Sequence, residues 1–225
     1  MTDDTTLPPT YTGPVRLFPL PNLVLFPGVI QGLHVFESRY KKMTADALAG
    51  DGLIAVVMLA PGWEDDYEDR PAIERVACLG RIAWHEELPD GRYNLRLKGL
   101  VRVRIVEELD GDQPYRTARV DVVAEAAPAP TEEAKRLRQA LADVVLPRFA
   151  EDGTARRQVQ DLFDGEMTLG QICDVLAYAL PLPAAVKQSL LEEPDAAKRA
   201  VTVADALRVS AARADRAFPP AFSAN

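Results

Sequence analysis

The chain has 225 residues, of which 48% are hydrophobic and 27% charged, and its formal net charge is −8. That is the composition of a globular protein, and the length suffices to bury roughly 70% of the unfolded chain's surface without a metal or disulfide staple, in one large domain or two small ones. The acidic balance, with no dense Lys/Arg run, argues against nucleic acid and against anionic membrane surfaces as partners.

The first segment, MTDDTTLPPTYTGP, is polar and acidic. It lacks the positive start and apolar core of a signal peptide. No stretch approaches the ~20 uninterrupted apolar residues of a spanning helix. Cys78 and Cys173 are far apart in no CxxC spacing, which suits two buried thiols in a reducing compartment. These features predict a cytoplasmic protein with a disordered leader over residues 1–13.

From Val15 to about Glu125 the apolar pattern is largely period two, the mark of strands. Val15 and Leu17, then Leu23–Phe26, read as two short extended pieces. Pro19 and Pro21 lack an amide donor and suit a strand edge or crossing. Pro27-Gly28 reads as a turn and Val29–Phe36 as a further extended segment. Tyr40, Met43, Ala47 and Leu48 then recur at helical spacing, with Ser38 as N-cap and Gly50 as stop. Leu53–Leu59 is a near-continuous apolar run, as in a strand buried on both faces.

The stretch from Glu64 to Asp69 places five acidic residues around Tyr67 and reads as a surface loop, beside Trp63. Val76–Trp84 reads as a strand, and Pro89-Asp90-Gly91 as a hairpin turn. Tyr93–Ile105 alternates, with Leu95, Leu97, Val101, Val103 and Ile105 on one side and Arg96, Lys98, Arg102 and Arg104 on the other; Gly99 predicts a bend or bulge. The basic side could attract acidic peptides or phosphates, but reads more readily as the solvated face of a one-sided sheet. Arg116–Val123 completes the strands.

Ala124–Pro130 reads as a hinge, and helical periodicity follows. Thr131 opens the first helix, Thr154 and Thr168 cap the next two, Pro181 and Pro183 precede a fourth, and Asp195 opens the last. The predicted organisation is a leader (1–13), a β-rich subdomain (14–126), a helical subdomain (127–217) and a tail (218–225).

Catalytic constellations are scarce. The sequence has no GxxxxGK[ST] loop, no HExxH and no Cys/His cluster for zinc. Its four serines, Ser38, Ser189, Ser210 and Ser223, fall in no GxSxG, and its two histidines are His34 and His85. His85 reads as a surface histidine at a strand end and His34 as a satisfied, half-buried one. Neither a cofactor nor a metal is expected. Trp63 and Tyr67 differ in kind: large aromatics on a loop either fold back as a cap or serve recognition.

Several segments in order resemble one known family. Pro19-Leu20, Val24-Leu25-Phe26-Pro27-Gly28, Phe36-Glu37-Ser38-Arg39-Tyr40, Leu79-Gly80-Arg81-Ile82, the hairpin from Leu88 to Arg102 with Gly99, and the C-terminal ALPLPAAVKQSLLEE are similar to the N-terminal substrate-binding domain of ATP-dependent Lon proteases. The likeness runs from about residue 14 to 210. It implies an α+β fold: an N-terminal β-rich, PUA-like pseudo-barrel containing one helix, followed by a C-terminal α-helical bundle. It also implies binding of unfolded or flagged polypeptides, alone or with a protease or chaperone as partner. A complete Lon protease continues into an ATPase and a Ser–Lys peptidase part; this sequence ends at Asn225 without either, so a non-enzymatic adaptor or chaperone-like factor is expected, with no nucleic-acid or membrane partner. An ATP-independent hydrolase with a cryptic site and a regulatory subunit of a separate protease are the alternatives. The expected peptide-binding residues are Leu33, Phe36, Trp63, Tyr67, Trp84 and His85, walling a cleft where the β-rich and helical halves join.

Overall fold

The computed structural model describes residues 14–65, 70–126, 131–151 and 153–216. The predicted leader, the C-terminal tail and Tyr67 lie outside them, as does the Pro-rich core of the predicted hinge. The described residues fall into two compact units. One comprises residues up to Glu125 together with Ala177–Pro194; the other comprises Ala126–Leu176 and the residues from Asp195 on.

The first unit is built on six strands: β1 (Pro14–Leu20), β2 (Ile30–Val35), β3 (Leu53–Met58), β4 (Val76–Glu87), β5 (Tyr93–Leu109) and β6 (Thr117–Val122), with helix α1 (Ser38–Leu48) between β2 and β3. The sheet order is β2-β5-β4-β3-β1-β6, and β6 also pairs with β5. Five strands therefore close a ring, and β2 extends it as an extra strand. The ring encloses Val15, Leu17, Leu53, Ala55, Val57, Ala77, Leu79, Val103, Ala118 and Val120.

β3 shows why its apolar run is continuous. It pairs in parallel with β1 and antiparallel with β4, and all six residues are buried. Pro19 is tolerated because β1 meets β6 only over Pro14–Arg16, so beyond that point it has one partner strand and spare donors. Helix α1 buries Tyr40, Met43, Thr44 and Ala47, and the Tyr40 ring lies 4.5 Å from that of Phe18 on β1. Its cap is Glu37 and not the expected Ser38, which is already helical; the extended backbone at Glu37 ends the previous segment one residue earlier. Leu23–Phe26 forms no strand.

Gly99 has a specific cause. A Cβ there would lie 2.2 Å from the carbonyl oxygen of Phe26, because the Pro27-Gly28 turn packs directly on β5. Gly28 donates to the Gly99 carbonyl (2.9 Å), and Gly99 donates to that of Val29 (2.8 Å). Gly28 itself adopts φ +77, open to glycine at little cost.

Helix α2 (Thr131–Val145) packs against α3 (Thr154–Asp164) and α6 (Ala196–Arg216) in the second unit. Helix α4 (Leu169–Ala179) begins in a capping box: Thr168 accepts from the Gln171 amide (3.2 Å) while Gln171 accepts from the Thr168 amide (2.8 Å). Asp195 caps α6 by accepting from Ala197 at 2.8 Å. Gly153, not Thr154, occupies the cap of α3. Arg199 is buried beside Asp174, at 3.6 Å.

The helical half does not stay together as the sequence suggests. Helix α5 (Ala184–Glu192) belongs with the strands and packs on β4. Its Gln188 donates to the Val76 carbonyl at 3.0 Å, and buried Arg102 of β5 donates to the Leu191 carbonyl at 3.0 Å. Arg102 is thus not on a solvated basic face: it tethers a helix end.

Candidate functional site

The register of β2, β5 and β4 decides which side chains share a face. Past Arg81, β4 has no pairing with β3, so the three strands continue as a flap. Pairs Ile30↔Lys98, Gly32↔Arg96↔Trp84 and His34↔Asn94↔Glu86 place these residues in successive rows of one face. On the other face Val35, Leu95 and Leu97 are buried.

Trp84 reaches the first face through a β-bulge. Ile82 pairs with Leu97 and Trp84 with Arg96, so Ala83 is an extra residue in β4. The bulge reverses the alternation, and Ile82 and Trp84, two apart in sequence, point to opposite faces.

This face leaves three large apolar side chains in water. Ile30 is 54% exposed, Phe36 62% and Trp84 46%. The Phe36 ring stacks on His34 at 6.2 Å, and the Arg96 guanidinium lies 5.4 Å from the Trp84 ring centre. A directed hydrogen-bond chain fixes the polar members. Arg92 donates to His34 Nε2 (3.4 Å), His34 Nδ1 donates to Asn94 (2.8 Å), and Asn94 donates to Glu86 (3.0 Å). The partners therefore set the His34 proton on Nδ1.

The six residues expected from sequence are not all brought together. Phe36 and Trp84 share the exposed face. Leu33 and His85 sit in the row Leu33↔Leu95↔His85 on the opposite face, Leu33 partly buried and His85 exposed. His85 lies within β4, which runs three residues past the end at Trp84 that the sequence suggests, and with Trp84 it lines a cavity of about 310 Å³ bordered by Gly50, Asp51 and Arg81. Trp63 is half-buried in a short 3-10 turn, Trp63–Asp65. His34, expected half-buried, is exposed. The sequence does not single out Ile30 and His34 for recognition, and it offers Arg96 only as one member of the basic side. Strict alternation along β2 could have revealed Ile30 and His34; no local signal reveals the bulge.

Both thiols are buried, both imidazoles are exposed, and His34 is held by Arg92 and Asn94. A second cavity, about 270 Å³, carries Arg39, Arg70 and Arg116, but these are engaged by Glu37 and Glu108. Glu108 is held below its ordinary carboxylate range by the Arg116 hydrogen bond. Among the described residues no cluster of three or more His, Cys, Asp or Glu could hold a metal ion, and no helix is long and apolar enough to cross a membrane.

A closed strand ring with an added flap, in a chain that also carries helices, makes this an α+β protein. The chain belongs to the family of ATP-dependent protease La (LON) substrate-binding domains, whose family model matches residues 14–209. It is similar to the Lon protease of Trichlorobacter lovleyi, 30% identical over 195 residues, covering 85% of this chain and 23% of that protein. It is also similar to the Lon protease of Flavobacterium johnsoniae, 33% identical over 112 residues, covering 50% of this chain and 14% of that protein. The chain thus spans less than a quarter of the length of these bacterial relatives. Among solved structures, the N-terminal domain of the Mycobacterium avium complex Lon protease shares the fold, with TM-score 0.66 and 20% identity over 87% of this chain and 98% of that one. The Lon N-terminal domain protein from Xanthomonas campestris matches with TM-score 0.59 and 27% identity, covering 83% and 94%.

Proposed function

We propose that this chain is a polypeptide-binding module that engages unfolded or flagged segments through the exposed face of the β2–β5–β4 flap, without cleaving them. The observation that carries the reading is the exposure of Ile30, Phe36 and Trp84 on one sheet face, in a family named for substrate binding. Large apolar side chains left in water at one place are the ordinary sign of an interaction surface. Trp84 and Phe36 supply contact area at low entropic cost, and the Arg96–Trp84 stack adds a group suited to such centres. Of the residues read from sequence, Phe36 and Trp84 are the proposed contacts. The buried thiols accord with work in a reducing cytoplasm, as an adaptor or chaperone-like factor acting on chains destined for a protease.

The test is a titration of fluorescein-labelled, unfolded casein with the purified chain, followed by anisotropy. Micromolar binding is expected, weakened at least about tenfold in a Trp84→Ala, Phe36→Ala double variant whose thermal midpoint is unchanged. The same mixture run on a gel is expected to keep the casein intact over hours. Absence of binding above background, or equal binding by the double variant, rejects the reading.

A further inference from the structure

Strand β2 is the terminal strand of the sheet, pairing with β5 alone among the described strands. In an antiparallel pair, alternate residues turn their N–H and C=O groups toward the partner and the others turn them away. The Val29 carbonyl accepts from Gly99, so Val29 bonds inward and Ile30, Gly32 and His34 bond outward. These outward groups form a template for a further strand.

Native edges guard against such pairing with lysine, proline or inward-pointing charge. The sequence of β2, IQGLHV, has none of these. Among the described residues, the hydrogen bonding seen over it comes from the Gln31 side chain, whose Nε2 donates to the Gly32 carbonyl at 2.6 Å and whose oxygen accepts from the Tyr178 hydroxyl at 3.0 Å. The flap's other edge, the end of β4, carries Glu86 and Glu87 and so has the guard that β2 lacks.

Gly32 adds a second element. A side chain there would meet nothing within 4 Å, so the position is a gap in the exposed face between Ile30 and His34. Directly behind the gap, in register, stands exposed Arg96, with Lys98 one row away opposite Ile30. In a chain of net charge −8, these cations beside Ile30 and the stacked His34 and Phe36, with Glu86 in the next row of the same face, are the local complement of a carboxylate.

We propose that the open edge of β2 takes up an extended polypeptide segment as a seventh strand, and that the preferred segment carries Asp or Glu with an aliphatic or aromatic residue two positions to either side. The acidic side chain lies opposite Gly32 and reaches across the gap to Arg96. The flanking apolar residues, on the same face by the two-residue alternation, meet Ile30 on one side and His34 with Phe36 on the other. Gln31 must release the Gly32 carbonyl for the new strand's amide to take its place. This assignment rests on the reading that the chain binds polypeptide.

The experiment uses the full chain and a labelled eleven-residue peptide with Leu, Glu and Phe at alternate central positions. Backbone N-methylation at the edge-facing amides is expected to weaken binding at least about tenfold, and N-methylation of the intervening amides less than about twofold. Replacing the central Glu by Lys is expected to cost a similar tenfold, and the Arg96→Glu variant to prefer the Lys peptide. Gly32→Val, which fills the gap, is expected to weaken the acidic peptide while keeping its unfolding midpoint. If neither N-methylation pattern matters while Trp84→Ala still weakens binding, strand addition is overturned and polypeptide binding stands. If Lys and Glu peptides bind the wild type alike, the acidic preference is overturned. If no peptide binds at all, both readings fall.

Discussion

The phenolic hydroxyl of Tyr178 donates to the side-chain oxygen of Gln31 over 3.0 Å, joining residues 147 apart in the sequence. Gln31 is thereby oriented with its amide nitrogen toward the Gly32 carbonyl. Lys187 in turn donates to the Tyr178 carbonyl at 2.8 Å, so the pin is itself held. Tyr178→Phe removes the donor and leaves the ring. It should destabilise the chain by about 0.5–1.5 kcal/mol, the usual net value of one such bond. It should also raise affinity for an extended peptide, because Gln31 no longer holds its cover in place. Denaturant titration and peptide anisotropy on the same variant check both effects.

Gly99→Ala should be among the most damaging conservative changes. Its Cβ would sit 2.2 Å from the Phe26 carbonyl oxygen, and the two backbones are bonded to each other on both sides of the contact. A backbone group cannot rotate away as a side chain can. The expected loss is about 3 kcal/mol or more, read as a lower denaturation midpoint with an unchanged slope.

Arg102→Leu tests the tether between β5 and α5. The variant keeps bulk but leaves the Leu191 carbonyl without the guanidinium that donates to it. A buried acceptor stranded in this way costs about 1–3 kcal/mol. Hydrogen exchange should quicken most in α5 and the adjoining part of β4, and least in the strands around β3.

Glu74 gives a pH test. Burial raises its carboxyl above the ordinary value of 4.5, and the negative charge of Glu192 raises it further. Folding therefore favours the protonated form. That contribution is full at pH below the unfolded value and is lost as pH rises through the raised folded one. Glu74→Gln should accordingly be more stable than the wild type at pH 7, with the advantage fading as pH falls toward about 4. Thermal melts of both proteins across that range measure it; an advantage that grows on acidification would contradict the assignment.

What could be read from sequence was what local chemistry decides. The apolar run of β3, the turn at Pro89-Asp90-Gly91 and the caps at Thr168 and Asp195 are written in residues next to one another. What escaped depends on partners far along the chain. Arg102 alternates with apolar residues like a solvent-facing arginine, and only Leu191, 89 residues on, makes it a buried one. Helix α5 looks like any other in the helical half until Gln188 meets Val76, 112 residues back. The candidate surface was legible by halves: Phe36 and Trp84 stood out as large aromatics, but Leu33 and His85 were grouped with them by nearness in sequence, which in a strand means opposite faces.

The extra residue at Ala83 has a consequence for reading relatives. It works as a half-period phase shift: every residue of β4 after it is displayed on the side its neighbour would otherwise occupy. A relative with the same residues but no bulge would show its equivalent of His85, and not that of Trp84, on the exposed face, with no change in residue types. Column-by-column identity is therefore a poor guide to which surface two such domains share. Equally, losing the bulge with Ala83 retained would exchange the two faces of the strand's end in a single step, a way of retuning what the flap presents while the ring beneath it stays the same, whereas deleting Ala83 would leave Trp84 opposite Arg96.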